Sequence, residues 1–251
     1  MNKNTTLRKS PATLAATRGL KAHAPIITGR VFAAAGACVL GTAALLLWLS
    51  GNWRWVEGWI FGVCWASLVV AVFLQLCFKD PALLAERMRM PGSGGESRAD
   101  MAILIAIKLG FIAWIILSPL DHRFGWMPRL PLWSELCGGV LFLAGSFFMF
   151  RALADNTFAS QLVRIQAERQ QHVIETGVYS FVRHPMYFGG SLVFVGGALL
   201  LGSVSGLLVA LAEVFLFVLR IFGEENLLVR DLEGYQGYRE KVRYRLIPHI
   251  W

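Results

Sequence analysis

Long apolar runs separated by short polar stretches dominate the chain. Four of them, at about 31–50, 56–78, 101–120 and 133–153, have roughly the length of about 20 residues that an α-helix needs to cross a bilayer. The pattern therefore predicts four membrane-spanning helices.

A fifth apolar stretch, 186–220, is too long for one ordinary crossing. A Gly-Ser-Val-Ser-Gly run at 202–206 interrupts it, and such a cluster favours a turn. Each arm then has about 16 residues, or ~24 Å at the helical rise, which just spans a thin bilayer or stops short of the far surface. We therefore expect six helices, the last two forming a short hairpin.

The basic residues test this count, because cytoplasmic loops collect Lys and Arg. With the N-terminus in the cytosol, 20 of the 24 basic residues fall in the cytoplasmic pieces 1–30, 79–100, 151–185 and from Arg220 onward. A single crossing over 186–220 would place the basic tail outside, so the hairpin is favoured. We expect both termini in the cytoplasm, and a bacterial inner membrane rather than an organellar one.

Composition excludes an ordinary soluble domain, since 56% of the 251 residues are hydrophobic and only 16% are charged. The net charge of +8 would suit a nucleic-acid partner, but the basic residues follow one side of the membrane. Attraction to anionic lipid headgroups is the simpler account.

The predicted organisation is a basic arm followed by a single all-α membrane domain. Residues 1–30 have six basic and no acidic residues, which favours a disordered arm; an organellar targeting peptide is the alternative. We expect the four helices in 31–153 and a cofactor-binding catalytic region, with a pocket open to the cytosol, in 154–251.

The start of the fifth apolar stretch carries the first candidate chemistry. In Arg183-His184-Pro185, proline suits the first turn of a helix, so His184 should lie at its N-cap, where unpaired N–H groups attract anions. Gly189 and Gly190 would let a ligand or another helix approach the backbone closely. A His that is only structural is the alternative.

Arg220, Glu224 and Glu225 form the second candidate cluster. Arg220 and Glu224 are four residues apart and share a helix face, so an internal ion pair is the simplest interpretation. Ionisable groups held against a bilayer are costly, however, which favours a functional site.

At these residues the chain resembles a known family. Six features occur in the order found in the isoprenylcysteine carboxyl methyltransferase family: the segments 163–166, 171–179 and 182–189, the pair Glu224-Glu225, the tyrosines Tyr235 and Tyr238, and the tail 245–248. The Arg-His-Pro-x-Tyr run alone is less specific, because membrane sterol and steroid reductases carry a similar one.

The resemblance implies transfer of a methyl group from S-adenosylmethionine to a lipophilic acceptor at the membrane. We expect this acceptor to be an isoprenylcysteine-type carboxylate, with another lipophilic acceptor as the alternative. The resemblance also implies that Arg220 holds the acceptor carboxylate, with Glu225 also in the catalytic site. The cofactor-binding residues that it implies are Gln166, Gln171, His172, Val173, Ile174, Tyr179, Arg183, His184, Pro185, Met186, Tyr187 and Glu224.

This chemistry needs alignment of donor and acceptor and exclusion of water; it requires no general base and no metal. Two rival functions are an NADPH-dependent sterol or steroid reductase and a lipid-binding protein without activity. The Glu224-Glu225 pair favours the methyltransferase over the reductase, and the presence of Arg220 and Glu224 argues against loss of activity.

Overall fold

The structure, a computed structural model, describes residues 29–251 without the side chains of Arg30, Val31, Ala34 and Cys38. Apart from its last two residues, the predicted basic arm at 1–30 lies outside the described residues. The expectation about this arm stays a prediction.

All regular secondary structure in residues 29–251 is helical. In chain order the α-helices are α1 Gly29–Ser50, α2 Val56–Lys79, α3 Pro81–Arg87, α4 Arg98–Phe124, α5 Leu132–Asp155, α6 Pro185–Leu200, α7 Val204–Asp231 and α8 Tyr235–Lys241. Two short 3-10 helices, Ala167–Arg169 and Gly177–Ser180, lie between α5 and α6. The protein is an all-α membrane protein, as the apolar runs predict.

Four of these helices, α2, α4, α5 and α7, are long and apolar enough to cross a bilayer. The apolar stretches of α1, Ala35–Ser50, and of α6 are shorter. The predicted break between α6 and α7 is confirmed, but the predicted length of the second arm is wrong. α7 has 28 residues because the helix continues past the apolar run, through Arg220 and the polar residues after it, to Asp231.

Local polar contacts explain why the chain turns between α6 and α7. Gly202 has a φ of +65°, a left-handed conformation that glycine adopts without strain. Ser203 caps α7 by accepting a hydrogen bond from the Gly206 N–H at 2.9 Å. Asp121, near the end of α4, accepts hydrogen bonds from the Ser203 hydroxyl and the Ser205 N–H, which ties this turn to α4.

Glycines allow α5 and α6 to pack closely. A Cβ on Gly138 would lie only 2.4 Å from the backbone nitrogen of Leu200, and one on Gly145 would lie 2.6 Å from the carbonyl oxygen of Gly189. The two backbones therefore touch, as small residues permit in membrane helices. This contact holds α6 and its N-terminus against α5.

Candidate functional site

The start of α6 has the local structure that its sequence predicts. Pro185 is the first residue of the helix, and His184 is the N-cap. The backbone N–H groups of Arg183 and His184 donate to the carbonyl oxygens of Tyr244 and Arg245, each at 2.9 Å. The C-terminal tail is thus fixed beside the N-terminus of α6.

Glu225 contacts side chains from two other segments at this end of the molecule. Its carboxylate accepts hydrogen bonds from Arg183 at 2.6 Å and from Arg245 at 2.8 Å, and His184 Nε2 lies 3.3 Å away. Glu225 is only 4% exposed, so both oxygens are used inside the protein. It joins α7, the start of α6 and the tail.

A cavity lies among the start of α6, the second half of α7, α8 and the segment 156–174. Glu224 and Tyr187 both line it, and the Tyr187 hydroxyl donates to Glu224 Oε2 at 2.8 Å. Within the described residues, Oε1 of Glu224 has no hydrogen-bond partner. Glu224 therefore offers the cavity a negatively charged acceptor.

Three tyrosines form one wall of the cavity. The Tyr179 hydroxyl donates to the carbonyl oxygen of Ala152, and the Tyr238 hydroxyl to that of Tyr179. The Tyr235 hydroxyl is buried and has no partner in the part of the chain that the structure describes. Buried hydroxyls nearly always have partners, so this one suits a polar group of a ligand.

Burial raises the pKa of Tyr179, Tyr235 and Tyr238 above the ordinary tyrosine value. All three hydroxyls therefore remain protonated at neutral pH. The Tyr235 hydroxyl is consequently available as a hydrogen-bond donor to a ligand.

Gln166 lies outside the cavity and forms hydrogen bonds within the 156–174 segment that lines it. Its side chain donates to the carbonyl oxygen of Phe158 at 2.9 Å and accepts from Arg169 at 2.6 Å, and its N–H donates to the Gln171 side chain. Gln166 is only 1% exposed and does not line the cavity. It holds the 156–174 segment in shape.

A buried ion pair fastens this segment to α3. Arg164 donates to both oxygens of Glu86, each at 2.8 Å, and also to Glu168. Burial alone would raise the pKa of Glu86, but the guanidinium groups of Arg164 and Arg89 outweigh it and lower that pKa. The sequence of the 79–100 loop predicts no catalytic role. The loop nevertheless holds in place the 156–174 segment, which lines the cavity.

Arg220 lies beside the cavity but does not line it. It donates through Nε to Asp100 Oδ1 at 3.0 Å and through Nη2 to the carbonyl oxygen of Gln161. The simple ion pair with Glu224 that the spacing suggested is absent from the described residues. Arg220 instead joins α7 to the first turn of α4.

The structure brings most of the predicted site residues into this one cavity. Those that line it are Gln171, His172, Val173, Ile174, Tyr179, Arg183, His184, Pro185, Met186, Tyr187 and Glu224. Gln166, Arg220 and Glu225 support it through the contacts above. Tyr235 belongs to the residues that carry the family resemblance, but it is not among the predicted cofactor-binding residues. Its position directly after a glycine in a polar turn gives no local signal of burial.

Two comparisons with known proteins bear on this cavity. Residues 133–233 match the family model described as phospholipid methyltransferase. The protein-S-isoprenylcysteine O-methyltransferase of Schizosaccharomyces pombe is 36% identical over 85 residues. The matched region makes up 33% of this chain and 36% of the relative, so the comparison spans about a third of the relative's length.

The matched family model covers α6, α7 and the segment between α5 and α6, and so includes both Arg183-His184-Pro185 and Glu224-Glu225. Together with the relative, it confirms the resemblance of this chain to the isoprenylcysteine carboxyl methyltransferase family.

Proposed function

We propose that the protein is a membrane methyltransferase that moves a methyl group from S-adenosylmethionine to a lipophilic acceptor with an isoprenylcysteine-type carboxylate. The observation that carries this proposal is the cavity at the start of α6. In the segment where the family resemblance lies, it combines the N-terminus of a helix with two polar groups that have no hydrogen-bond partner among residues 29–251, Oε1 of Glu224 and the hydroxyl of Tyr235.

These groups fit the chemistry of S-adenosylmethionine. The Glu224 carboxylate suits the cationic part of the cofactor. The first-turn N–H groups of α6 suit its carboxylate. The Tyr235 hydroxyl and the apolar side chains of Val173 and Ile174 suit an adenosine group.

When bound, the cofactor supplies a methyl group on a sulfonium, which is already an electrophile. A carboxylate oxygen of the acceptor would form the new bond to this methyl carbon while the carbon–sulfur bond breaks and its electron pair remains on sulfur. No proton moves, so the chain's task is to align the two molecules and exclude water.

The supporting residues give the cavity the rigidity that alignment needs. Glu225 fixes the start of α6 to α7 and the tail, and the Glu86–Arg164 pair fixes the 156–174 segment to α3. In this proposal residues 31–251 form one membrane domain, with the catalytic region in 154–251 and its cavity facing the cytosol. The acceptor enters from the bilayer.

Methyl transfer to an N-acetylated S-isoprenyl cysteine, followed with isotope-labelled S-adenosylmethionine, tests this proposal. Glu224→Gln should weaken cofactor binding by about 10- to 150-fold, the equivalent of one charged hydrogen bond. Glu233→Gln makes the same chemical change at an exposed site and should behave as the wild type. Absence of transfer by well-folded protein, or equal cofactor binding by the two variants, would contradict the proposal.

A further inference from the structure

Arg87, at the end of α3, lies beside the cavity and, like Arg220, does not line it. Its Nη1 donates to the carbonyl oxygen of Ala159 at 2.8 Å and lies 3.6 Å from the sulfur of Met186. Both of these residues line the cavity. Within residues 29–251, Nε and Nη2 of Arg87 have no hydrogen-bond partner. These two nitrogens form the edge that binds a carboxylate through two hydrogen bonds.

The charge of Arg87 is also unpaired in the described part of the chain. Among those residues no carboxylate forms an ion pair with it. The ionisable groups that act on it are Tyr179, Tyr187 and Arg220, and none of them is a carboxylate. Burial lowers the pKa of Arg87, as expected for a cation that has lost water and gained no counter-ion. Such a group is costly unless an anion binds it.

Arg220 differs from Arg87 in the hydrogen bonds that its guanidinium makes. The same Nε and Nη2 edge of Arg220 is already occupied by Asp100 and by the carbonyl oxygen of Gln161. Gln161 also connects the two arginines, because its side chain donates to the carbonyl oxygen of Arg87 at 3.2 Å. Gln161 thus contacts the guanidinium of Arg220 and the backbone of Arg87. Of these two arginines, Arg87 is the one whose Nε and Nη2 have no partner within residues 29–251.

The surroundings of Arg87 suit the head of an amphiphilic molecule. Met186 packs against an apolar cluster formed by the end of α2, by α3, by the end of α5 and by the segment after it: Leu76, Cys77, Leu83, Leu84, Leu153 and Ala159. Arg87 lies where this cluster meets the polar cavity. A carboxylate at Arg87 could therefore be followed by an apolar chain.

We propose that Arg87, rather than Arg220, binds the carboxylate of the lipophilic acceptor and positions it for methylation. This assignment rests on the proposed function. Asp100 neutralises Arg220, and Glu224 serves the cationic part of the cofactor. Arg87 is then the positive charge that is left for the acceptor. Arg220, held by Asp100, supports the wall next to it.

A charge-selective binding measurement tests the assignment. Purified protein, with S-adenosylhomocysteine present to prevent turnover, is titrated with N-acetyl-S-farnesyl cysteine and separately with its methyl ester. The wild type should bind the acid more tightly than the ester. Arg87→Gln should weaken binding of the acid by about 10- to 150-fold and leave that of the ester unchanged.

Two further variants complete this test. Arg87→Lys keeps the charge but loses the two-nitrogen edge, so it should retain part of the preference for the acid and shows whether loss of folding explains the Gln variant. Arg98→Gln removes an exposed cation from the same loop and should match the wild type. Unfolding curves and binding of S-adenosylhomocysteine are recorded for every variant.

The outcomes separate this inference from the proposed function. If Arg87→Gln keeps the preference for the acid while Arg220→Gln loses it, Arg220 is the acceptor residue and the inference is wrong, although the proposed function stands. Weaker binding of S-adenosylhomocysteine alone by Arg87→Gln would place Arg87 at the cofactor and also overturn the inference. A folded wild type that binds the cofactor but neither ligand would overturn the proposed acceptor and this assignment together.

Discussion

Glu224 and Glu225 are neighbours in sequence, but replacing each by glutamine should have different effects. The change at Glu225 should lower stability, and the change at Glu224 should weaken cofactor binding. Glu225→Gln removes the charge that pairs with Arg183 and Arg245. Breaking a buried ion pair by removing one partner costs about 3–5 kcal/mol. Arg183 would keep its hydrogen bonds to two carbonyl oxygens of the tail, and Arg245 is partly exposed. The low end, about 3 kcal/mol, is therefore expected, which is about a 150-fold smaller ratio of folded to unfolded protein.

Glu224→Gln is the matched control. The Glu224 side chain is half-buried, and within residues 29–251 its one side-chain hydrogen bond is the bond that Tyr187 donates. The amide oxygen of Gln can still accept that bond, so stability should change by less than about 1 kcal/mol. Cofactor binding should fall instead, because the negative charge in the cavity is lost.

The assay combines equilibrium unfolding in detergent with titration of S-adenosylmethionine for both variants. Glu225→Gln should unfold more easily, and its folded fraction should bind the cofactor within a few-fold of the wild type. Equal stability of Glu225→Gln and the wild type would refute the role of Glu225 as the residue that holds the tail, α6 and α7 together.

Three further predictions follow from single contacts. Tyr235→Phe should leave stability unchanged, because its hydroxyl has no partner within residues 29–251, and should weaken cofactor binding by about 2- to 13-fold in calorimetry; unchanged binding would contradict its role. Gly138→Ala should destabilise the α5–α6 contact by about 1–3 kcal/mol in unfolding experiments, whereas Gly139→Ala, whose nearest atom lies at 3.8 Å, should be neutral; equal effects would contradict the close contact. Arg164 lowers the pKa of Glu86 in the folded protein. The ionised Glu86 carboxylate therefore stabilises the fold fully above its unfolded-state pKa of about 4.3, and this stabilisation is lost as the pH falls through the folded-state pKa of Glu86. Glu86→Gln should therefore lower the thermal midpoint at pH 7, and the difference from wild type should shrink below about pH 4; a difference that is constant with pH would refute the pairing.

Patterns that act over a few residues made the fold and the start of the site predictable. Apolar runs of the right length gave the helices, and the 202–206 run marked the break between α6 and α7. Pro185 placed His184 at the N-cap, because proline fits the first helical position and restricts the residue before it. The sequence left open whether a ligand or another helix approaches the backbone at Gly189. The structure shows that a helix does, because a Cβ on Gly189 would lie 2.7 Å from the backbone nitrogen of Met149 in α5.

Contacts between distant segments could not be predicted from one sequence. Glu86 pairs with a residue 78 positions later and Asp100 with one 120 positions later, and neither spacing has a local pattern. The family resemblance points to Glu224 as the residue at the cofactor, but helix periodicity alone could not show which of Glu224 and Glu225 faces the cavity. Neighbouring helical residues point about 100° apart, so the answer depends on how α7 is rotated against α6.

The central claim is that the cavity at the start of α6 binds S-adenosylmethionine. Isothermal titration of purified protein with S-adenosylmethionine, S-adenosylhomocysteine and NADPH tests it most directly. The account predicts binding of the first two at a single site, weakened by Glu224→Gln and not by Glu233→Gln, with no binding of NADPH. Binding of NADPH alone would contradict it and would favour a reductase.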